Sequence, residues 1–160
     1  MIDIMKTPRD GNAIADCIRQ SDWIIDLRVL PDQQLTTGMH WEDEILERAF
    51  KSLRNGIISR MCFRLHKEAL AFFSPPAFEV ALPRFLIYSL RHPESEVATH
   101  TVLQLAKMDF RVIGMQLRYP NITKARRNVV CEAVRWIRSQ RGDPGGILND
   151  FERIELFWCS

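Results

Sequence analysis

Apolar residues recur at three- and four-residue steps along most of this chain, and this spacing constrains its fold more than any other feature. Side chains with that period lie on one face of an α-helix, which buries the apolar face against its neighbours. At 160 residues the chain has the length of one globular domain. We therefore predict an all-α fold, a compact single domain over residues 1–160 built as a bundle of about six or seven helices. The predicted helices cover residues 12–27, 41–53, 57–73, 75–90, 95–105, 124–140 and 147–158.

Some segments of the sequence fit more than one structure. Residues 23–39 are predicted to be partly loop, because residues 31–39 are rich in turn-forming residues, whereas residues 23–30 suit either the end of a helix or a strand. Residues 109–120 alternate in polarity, which permits a short strand or an extended, ordered loop, and we favour the loop. Residues 142–146 predict a turn, and the C-terminal element after this turn fits either a helix or a strand.

The strongest local signal is the dipeptide Ser74-Pro75, which is typical of a helix start. Serine is a favoured N-cap residue, and proline at the first helical position loses no hydrogen bond. Farther along the same helix, Pro83 has no N–H to donate to the carbonyl oxygen of Glu79, so we expect a kink or weakened hydrogen bonding there. Thr123 is predicted to cap the helix that follows it.

Two helices are predicted on either side of Asn55-Gly56, a pair that is typical of a helix end. The acidic residues 42–44 fill the first turn of the earlier helix, where the helix dipole favours negative charge. We expect the apolar stripes of both helices to be buried. They comprise Ile45, Leu46, Ala49 and Leu53 in the first helix and Ile57, Ile58, Met61, Cys62, Leu65, Ala69 and Phe72 in the second.

Residues 73–86 read Phe-Ser-Pro-Pro-Ala-Phe-Glu-Val-Ala-Leu-Pro-Arg-Phe-Leu. This stretch resembles a family of small, functionally uncharacterised bacterial proteins that share phenylalanine-serine-proline, alanine-phenylalanine, leucine-proline and phenylalanine-leucine at the same spacing. The helix start at Trp41 and the apolar segment Ala133–Ile137 are similar to that family as well, so the resemblance spans residues 40–140. The resemblance implies a helical domain and assigns no catalytic residue.

The sequence carries no signal for secretion, membrane insertion or a bound cofactor. The N-terminus lacks the basic start and apolar run of a secretion signal, and no apolar stretch approaches the ~20 residues that span a bilayer. We expect a cytoplasmic protein without membrane contact, in which all four cysteines are reduced and pack as small apolar side chains. They are Cys17, Cys62, Cys131 and Cys159.

Chemical motifs are equally absent from the sequence. Cys62 and His66 have the spacing of two metal ligands on one helix face, but no third ligand accompanies them, so we expect no metal site. Glycine-rich phosphate loops and the motifs of serine hydrolases and zinc proteases do not occur. We therefore expect neither a cofactor nor enzymatic activity.

The net charge of +2 conceals a division along the chain. Residues 1–50 carry ten acidic and five basic side chains, a balance of −5, whereas residues 104–141 carry nine basic and two acidic ones, a balance of +7. The basic segment at residues 118–141 suggests phosphate contacts, which makes nucleic-acid binding an alternative function. A sequence pI near 8.4 is below the value above ~9 that is typical of dedicated nucleic-acid domains. The candidate phosphate contacts are Arg118, Lys124, Arg126, Arg127 and Arg138.

The acidic half of the chain predicts a different function. Its carboxylates bracket a loop that holds large apolar groups, and this combination suits the surface of a basic protein. The candidate partner-binding residues are Asp22, Asp26, Asp32, Trp41, Glu42, Asp43 and Glu47. We expect a non-catalytic protein-binding protein, an immunity protein that neutralises a bacterial toxin or secreted effector with a basic domain. The alternatives are the nucleic-acid-binding protein and an enzyme whose site is assembled from distant residues.

Overall fold

The computed structural model describes residues 9–25, 35, 36, 38, 41–55, 57–106, 122–141 and 148–160. Within these residues the chain forms eight α-helices and no strand, which confirms the predicted all-α fold. The helices are α1 (Gly11–Gln20), α2 (Asp22–Ile25), α3 (Asp43–Ala49), α4 (Arg60–Leu65), α5 (Pro75–Arg91), α6 (Glu96–Ala106), α7 (Lys124–Arg141) and α8 (Leu148–Trp158). Two 3₁₀ turns, at Lys51–Asn55 and Ala69–Ala71, follow α3 and α4.

Helix α5 is the centre of the fold, since α1, α2, α6 and α7 all pack against it. It begins at Pro75 after the N-cap residue Ser74, as the sequence predicts, but the side chain of Ser74 makes no capping hydrogen bond. Phe78 in its first turns is fully buried. Helix α8 packs against α6 and α7, and the buried indole N–H of Trp158 lies 3.4 Å from the carbonyl oxygen of Leu105 in α6. The described helices thereby share one hydrophobic core.

A contact from α2 compensates for the proline inside α5. Because Pro83 has no N–H, the carbonyl oxygen of Glu79 lacks the donor that an α-helix normally supplies four residues later. The indole Nε1 of the buried Trp23 donates a hydrogen bond to that oxygen at 3.2 Å. This hydrogen bond satisfies the carbonyl group and fixes α2 against α5.

Helix α1 approaches α5 and α7 very closely at its first residue. A Cβ atom at Gly11 would lie 2.7 Å from the ring of Trp136 and 2.8 Å from the carbonyl oxygen of Leu90. Atoms in close-packed interiors do not approach so closely, so glycine is required here for the helices to pack. The carboxylate of Asp10 caps this helix by accepting a hydrogen bond from the N–H of Ala13 at 2.8 Å.

The predicted helix over residues 57–73 is wrong. The structure has the short α4, which ends at Leu65, and then a separate 3₁₀ turn. Ile57, Met61 and Leu65 were expected in the core but are 61%, 61% and 67% exposed. Ile45 of α3, also expected in the core, is exposed as well.

The C-terminal element is a helix, α8, which decides between the two structures that the sequence allows there. The segment at residues 23–30 begins as helix, because α2 extends to Ile25. The predicted turn at residues 142–146 and the segment at residues 109–120 lie outside the described residues. The same holds for most of the loop predicted at residues 31–39.

Candidate protein-binding surface

Large apolar side chains that remain exposed are concentrated in one part of the chain. Of the six such side chains in the described residues, five lie between positions 41 and 65, and the sixth is Leu156 in α8. Single exposed apolar residues are ordinary, whereas a group of them marks an interaction surface. The five are Trp41, Ile45, Ile57, Met61 and Leu65.

Three of these side chains line one groove, which we call the Trp41 groove. Trp41, Ile45 and Leu65 surround a cavity of about 300 Å³ between the start of α3 and the segment that follows α4. Leu46 and Phe72 contribute to its apolar lining. This volume lies at the lower end of the range for ligand pockets, so the groove has room for a few side chains of a partner.

Met61 and Leu65 of α4 are exposed because this helix buries Phe63 on its opposite face. The ring of Phe63 packs edge-on against Phe85 at 4.9 Å and stacks on Tyr88 at 4.6 Å, both in α5. Residues two positions away from Phe63 along an α-helix lie about 200° around its axis. Met61 and Leu65 therefore face away from α5 and into solvent.

The polar residues of the Trp41 groove give it an acidic balance. Glu42 and Glu68 line it together with His66 and Lys67. The ammonium group of Lys67 pairs with the carboxylate of Glu96 in α6, and this hydrogen bond lowers the pKa of Glu96 below its ordinary value. Glu68 also has a partner within the domain, since its carboxylate lies 3.6 Å from the imidazole of His100 in α6. Two carboxylates against one ammonium group give the lining its acidic balance.

Two carboxylates of the predicted partner-binding set serve the fold instead. Asp43 is 7% exposed at the start of α3, and this burial removes it from the surface that a partner contacts. The Oε1 atom of Glu47 accepts hydrogen bonds from the backbone N–H groups of Leu35 at 2.6 Å and Thr36 at 3.1 Å. Glu47 thereby holds these two residues of the preceding segment against α3.

The remaining residues of the predicted set separate. Trp41 and Glu42 lie together on the Trp41 groove. Asp22 is exposed at the start of α2, 3.9 Å from Arg126 of α7, and does not line the groove. Asp26 and Asp32 lie outside the described residues. The structure thus brings two of the seven predicted residues to one site.

Sequence reasoning missed Ile45 and Leu65, the two apolar residues that face Trp41 across this groove. Apolar residues at helical spacing are typical of a buried stripe, and for that reason both were assigned to the core. A signal against burial was present around Leu65, since Arg64 precedes it and the charged pair Lys67-Glu68 follows it closely. Charged residues on both sides of Leu65 indicate that the apolar stripe of this helix is interrupted there.

The basic residues that were candidates for phosphate contacts are engaged within the domain. The guanidinium group of Arg126 lies 3.3 Å from the carboxylate of Glu79 in α5 and 5.6 Å from the centre of the Trp23 ring in α2. Arg127 donates hydrogen bonds to the carbonyl oxygen of Phe157 and to the hydroxyl oxygen of Ser160. These two arginines therefore tie α7 to three of its neighbours.

The rest of that basic segment follows the same tendency. The guanidinium group of Arg138 lies over the ring of Phe151 in α8, 5.5 Å from its centre. Lys124 is exposed in the first turn of α7, and Arg118 lies outside the described residues. Three of the five predicted phosphate contacts thus pack on protein groups, and this observation does not favour the nucleic-acid alternative.

Cys131 and Cys159 form a disulfide that joins α7 to the C-terminal end of α8. The expectation of four reduced thiols is therefore wrong for this pair, while Cys17 and Cys62 are free. The two bonded cysteines are 28 residues apart in the sequence, and the packing of α8 on α7 brings their Cα atoms to 5.2 Å. That distance is typical of a disulfide, but no spacing rule in the sequence predicts it.

No helix in the described part of the chain combines the length and apolar character needed to cross a membrane. Across the same residues, His, Cys, Asp and Glu side chains do not gather in groups of three or more that would hold a metal ion. The thiol of Cys62, a candidate ligand by spacing, lies 3.1 Å from the carbonyl oxygen of Ala49.

No protein-family model, curated protein or solved structure matches this chain. The resemblance of residues 73–86 to a bacterial family therefore stays a prediction. In the structure this stretch begins α5, and Phe78, Leu82 and Phe85 are fully buried there. These positions build the core and are not accessible to a partner.

Proposed function

We propose that this chain is a non-catalytic protein-binding domain whose Trp41 groove holds an apolar segment of a basic protein partner. The observation that carries the proposal is Trp41, which is 82% exposed at the edge of the groove. Tryptophan is enriched among the residues that dominate the energy of protein interfaces, because it buries a large area and loses few rotamers. An exposed tryptophan beside an apolar cavity is a natural anchor for a partner.

The surface around Trp41 extends the apolar contact area. Leu65 and Ile45 lie on the same groove, and Met61 is exposed one turn before Leu65 on α4. Burial of apolar surface contributes about 25 cal/mol per Å², so these side chains supply the favourable energy of association. We expect the centre of the interface at the groove and its rim at the charged residues beside it.

Charge determines which partner the groove suits. Two carboxylates, Glu42 and Glu68, line it against a single lysine, Lys67. Lys67 is paired with Glu96, and Glu68 lies 3.6 Å from His100. Complementary charge raises the rate of association and disfavours partners of like charge. The partner we propose therefore carries lysine or arginine side chains around an apolar segment.

Within this class we propose a toxin or secreted effector domain that this chain inhibits as an immunity protein. Enzymes that act on nucleic acids hold phosphate backbones with basic surfaces, because contacts to phosphate supply much of their affinity. An acidic groove with an apolar anchor has the charge needed to cover such a surface. Inhibition by coverage requires a stable scaffold and no chemistry in this chain.

The proposal also concerns the cellular compartment in which this chain meets the toxin or effector. The sequence predicts the cytoplasm, whereas the Cys131–Cys159 disulfide favours a more oxidising compartment. Rapid alkylation of thiols in cells lysed directly into denaturant, followed by mass spectrometry, decides between them, because denaturation exposes the buried Cys131. Labelling of all four cysteines would support the cytoplasm, and labelling of Cys17 and Cys62 alone would contradict it.

The proposal is tested with the purified product of the gene adjacent to this one as the candidate partner. We expect complex formation by calorimetry, with a shift of tryptophan fluorescence to shorter wavelength as Trp41 leaves water. Trp41→Ala and Leu65→Ala should each weaken binding at least tenfold, which corresponds to about 1.4 kcal/mol. Glu68→Lys should slow association and reduce its dependence on salt.

Leu156→Ala is the matched control, because Leu156 is a similarly exposed leucine on α8 and does not line the groove. This variant should bind like the unmodified protein. Equal binding by the Trp41→Ala variant and the unmodified protein would contradict the proposed site. Absence of any complex with the adjacent gene product would contradict the immunity role.

A further inference from the structure

A second cavity shares no lining residue with the Trp41 groove. It has a volume of about 490 Å³ and lies between α4 and the second half of α5. Pockets for small ligands commonly enclose about 300–1,000 Å³. We call it the arginine cavity, after Arg60, Arg84 and Arg91, which line it.

The charge of the arginine cavity is of one sign. None of its lining residues among those the structure describes is aspartate or glutamate. Arg60 is exposed at the start of α4, and Arg91 is exposed at the end of α5. The carboxylate of Asp16 lies 3.9 Å from the guanidinium group of Arg91, and Arg19 lies 3.8 Å from the same oxygen. One carboxylate is thus divided between two arginines.

The third cation lies deeper. Arg84 is 9% exposed, and its Nη1 atom donates a hydrogen bond to the carbonyl oxygen of Val80 at 2.8 Å. Burial lowers the pKa of Arg84 to about 10, so the side chain remains charged at neutral pH.

Aromatic rings form another wall of the cavity. Phe63 and Tyr88 stack with ring centres 4.6 Å apart, and Tyr88 contacts His92 at the same distance. Ile57 and Ile87 add apolar surface. The lining of the cavity therefore combines apolar and aromatic side chains with three arginines.

From this arrangement we propose that the arginine cavity binds a small aromatic phosphomonoester. A phosphate group carries a charge of about −1.5 to −2 near neutral pH and has three oxygens, which matches several guanidinium groups better than the single charge of a carboxylate does. Guanidinium groups hold phosphate in bidentate geometry and also stack on rings. This site is independent of the proposed protein-binding function.

The test compares phosphorylated probes with their unphosphorylated counterparts. Calorimetry with the full chain measures adenosine 5′-monophosphate against adenosine, and phenyl phosphate against phenol. We expect at least one phosphate ester to bind ten times more tightly than its counterpart and than inorganic phosphate. If neither ester shows that preference, the proposal is wrong.

Variants with matched controls locate the binding. Arg60→Ala and Arg91→Ala should each weaken the ester at least fivefold, and both side chains are exposed, so folding should be preserved. Arg64→Ala on the same helix α4 does not line the cavity, so this control variant should bind the ester normally. Equal loss in the test and control variants would overturn the site.

One more comparison separates this proposal from the protein-binding function. Trp41→Ala removes the anchor of the Trp41 groove and leaves every residue of the arginine cavity in place. The phosphate ester should bind this variant with unchanged affinity. A matching loss of ester binding would place the ester in the groove and contradict the assignment.

Discussion

The segment at residues 41–72 and helix α7 use their side chains in opposite ways. The first leaves Trp41 and Leu65 in solvent around a groove. The second directs Arg126 and Arg127 onto carboxylates, carbonyl oxygens and rings of neighbouring helices. The apolar residues are thus free for a partner and the charged ones are occupied. A partner can reach only those side chains that neighbouring helices do not already contact. Whether a side chain is apolar or charged does not decide this.

The largest expected effect distinguishes two positions of α4 that are two residues apart. Phe63→Ala removes a buried ring that packs on α5 and should lower the free energy of unfolding by about 3–5 kcal/mol. Leu65→Ala lies at the surface and should change it by less than about 0.5 kcal/mol. Urea denaturation measures both. A large loss for Leu65→Ala would place this residue in the core and break the comparison.

A smaller effect is expected at the covalent link of α7 to α8. Replacing Cys131 and Cys159 by serine should lower the free energy of unfolding by about 2–4 kcal/mol, because the unfolded chain regains freedom that the disulfide removes. Thermal unfolding with and without dithiothreitol measures this change. The reductant should destabilise the unmodified protein and leave the double variant unaffected. Insensitivity of the unmodified protein would show that the link is missing.

The inward orientation of the basic residues predicts a stability loss at Arg127. Arg127→Ala removes hydrogen bonds to Phe157 and Ser160 and a contact with the Phe157 ring, and should cost about 1–2 kcal/mol. Lys124→Ala, in the exposed first turn of the same helix, is the matched control and should be neutral within about 0.5 kcal/mol. Thermal unfolding measures the stability of both variants. If they are equally stable, Arg127 is not held by contacts within the domain and is available to nucleic acid.

The smallest effect concerns pH. The hydrogen bond from Lys67 holds the pKa of Glu96 below its ordinary value of 4.5, so folding favours the charged carboxylate. This stabilisation is present above pH 4.5 and is lost as the pH falls through the lower pKa of the folded protein. Lys67→Met should remove that part of the acid dependence of unfolding. If the free energy of unfolding depends on pH in the same way for the variant and the unmodified protein, the pairing of Lys67 with Glu96 is contradicted.

Helix-forming periodicity and local capping signals were sufficient to predict the central part of the fold. Ser74 precedes α5 as expected, and the hydroxyl of Thr123 accepts a hydrogen bond from the N–H of Arg126 at 3.2 Å, as its predicted capping role requires. The site was predicted only in part, through Trp41 and Glu42. Leu65 was lost to the core because periodicity tells which residues share a face and not which face is covered.

Pro83 illustrates what the sequence determines and what it leaves to tertiary packing. The sequence by itself determines that the carbonyl oxygen of Glu79 has no donor within its helix, because proline has no N–H. It does not determine what satisfies that oxygen. Only the tertiary structure brings the indole N–H of Trp23, 56 positions away in the chain, to 3.2 Å from it. Local bonding rules act within a few residues, whereas the choice of partner depends on how all the helices pack together.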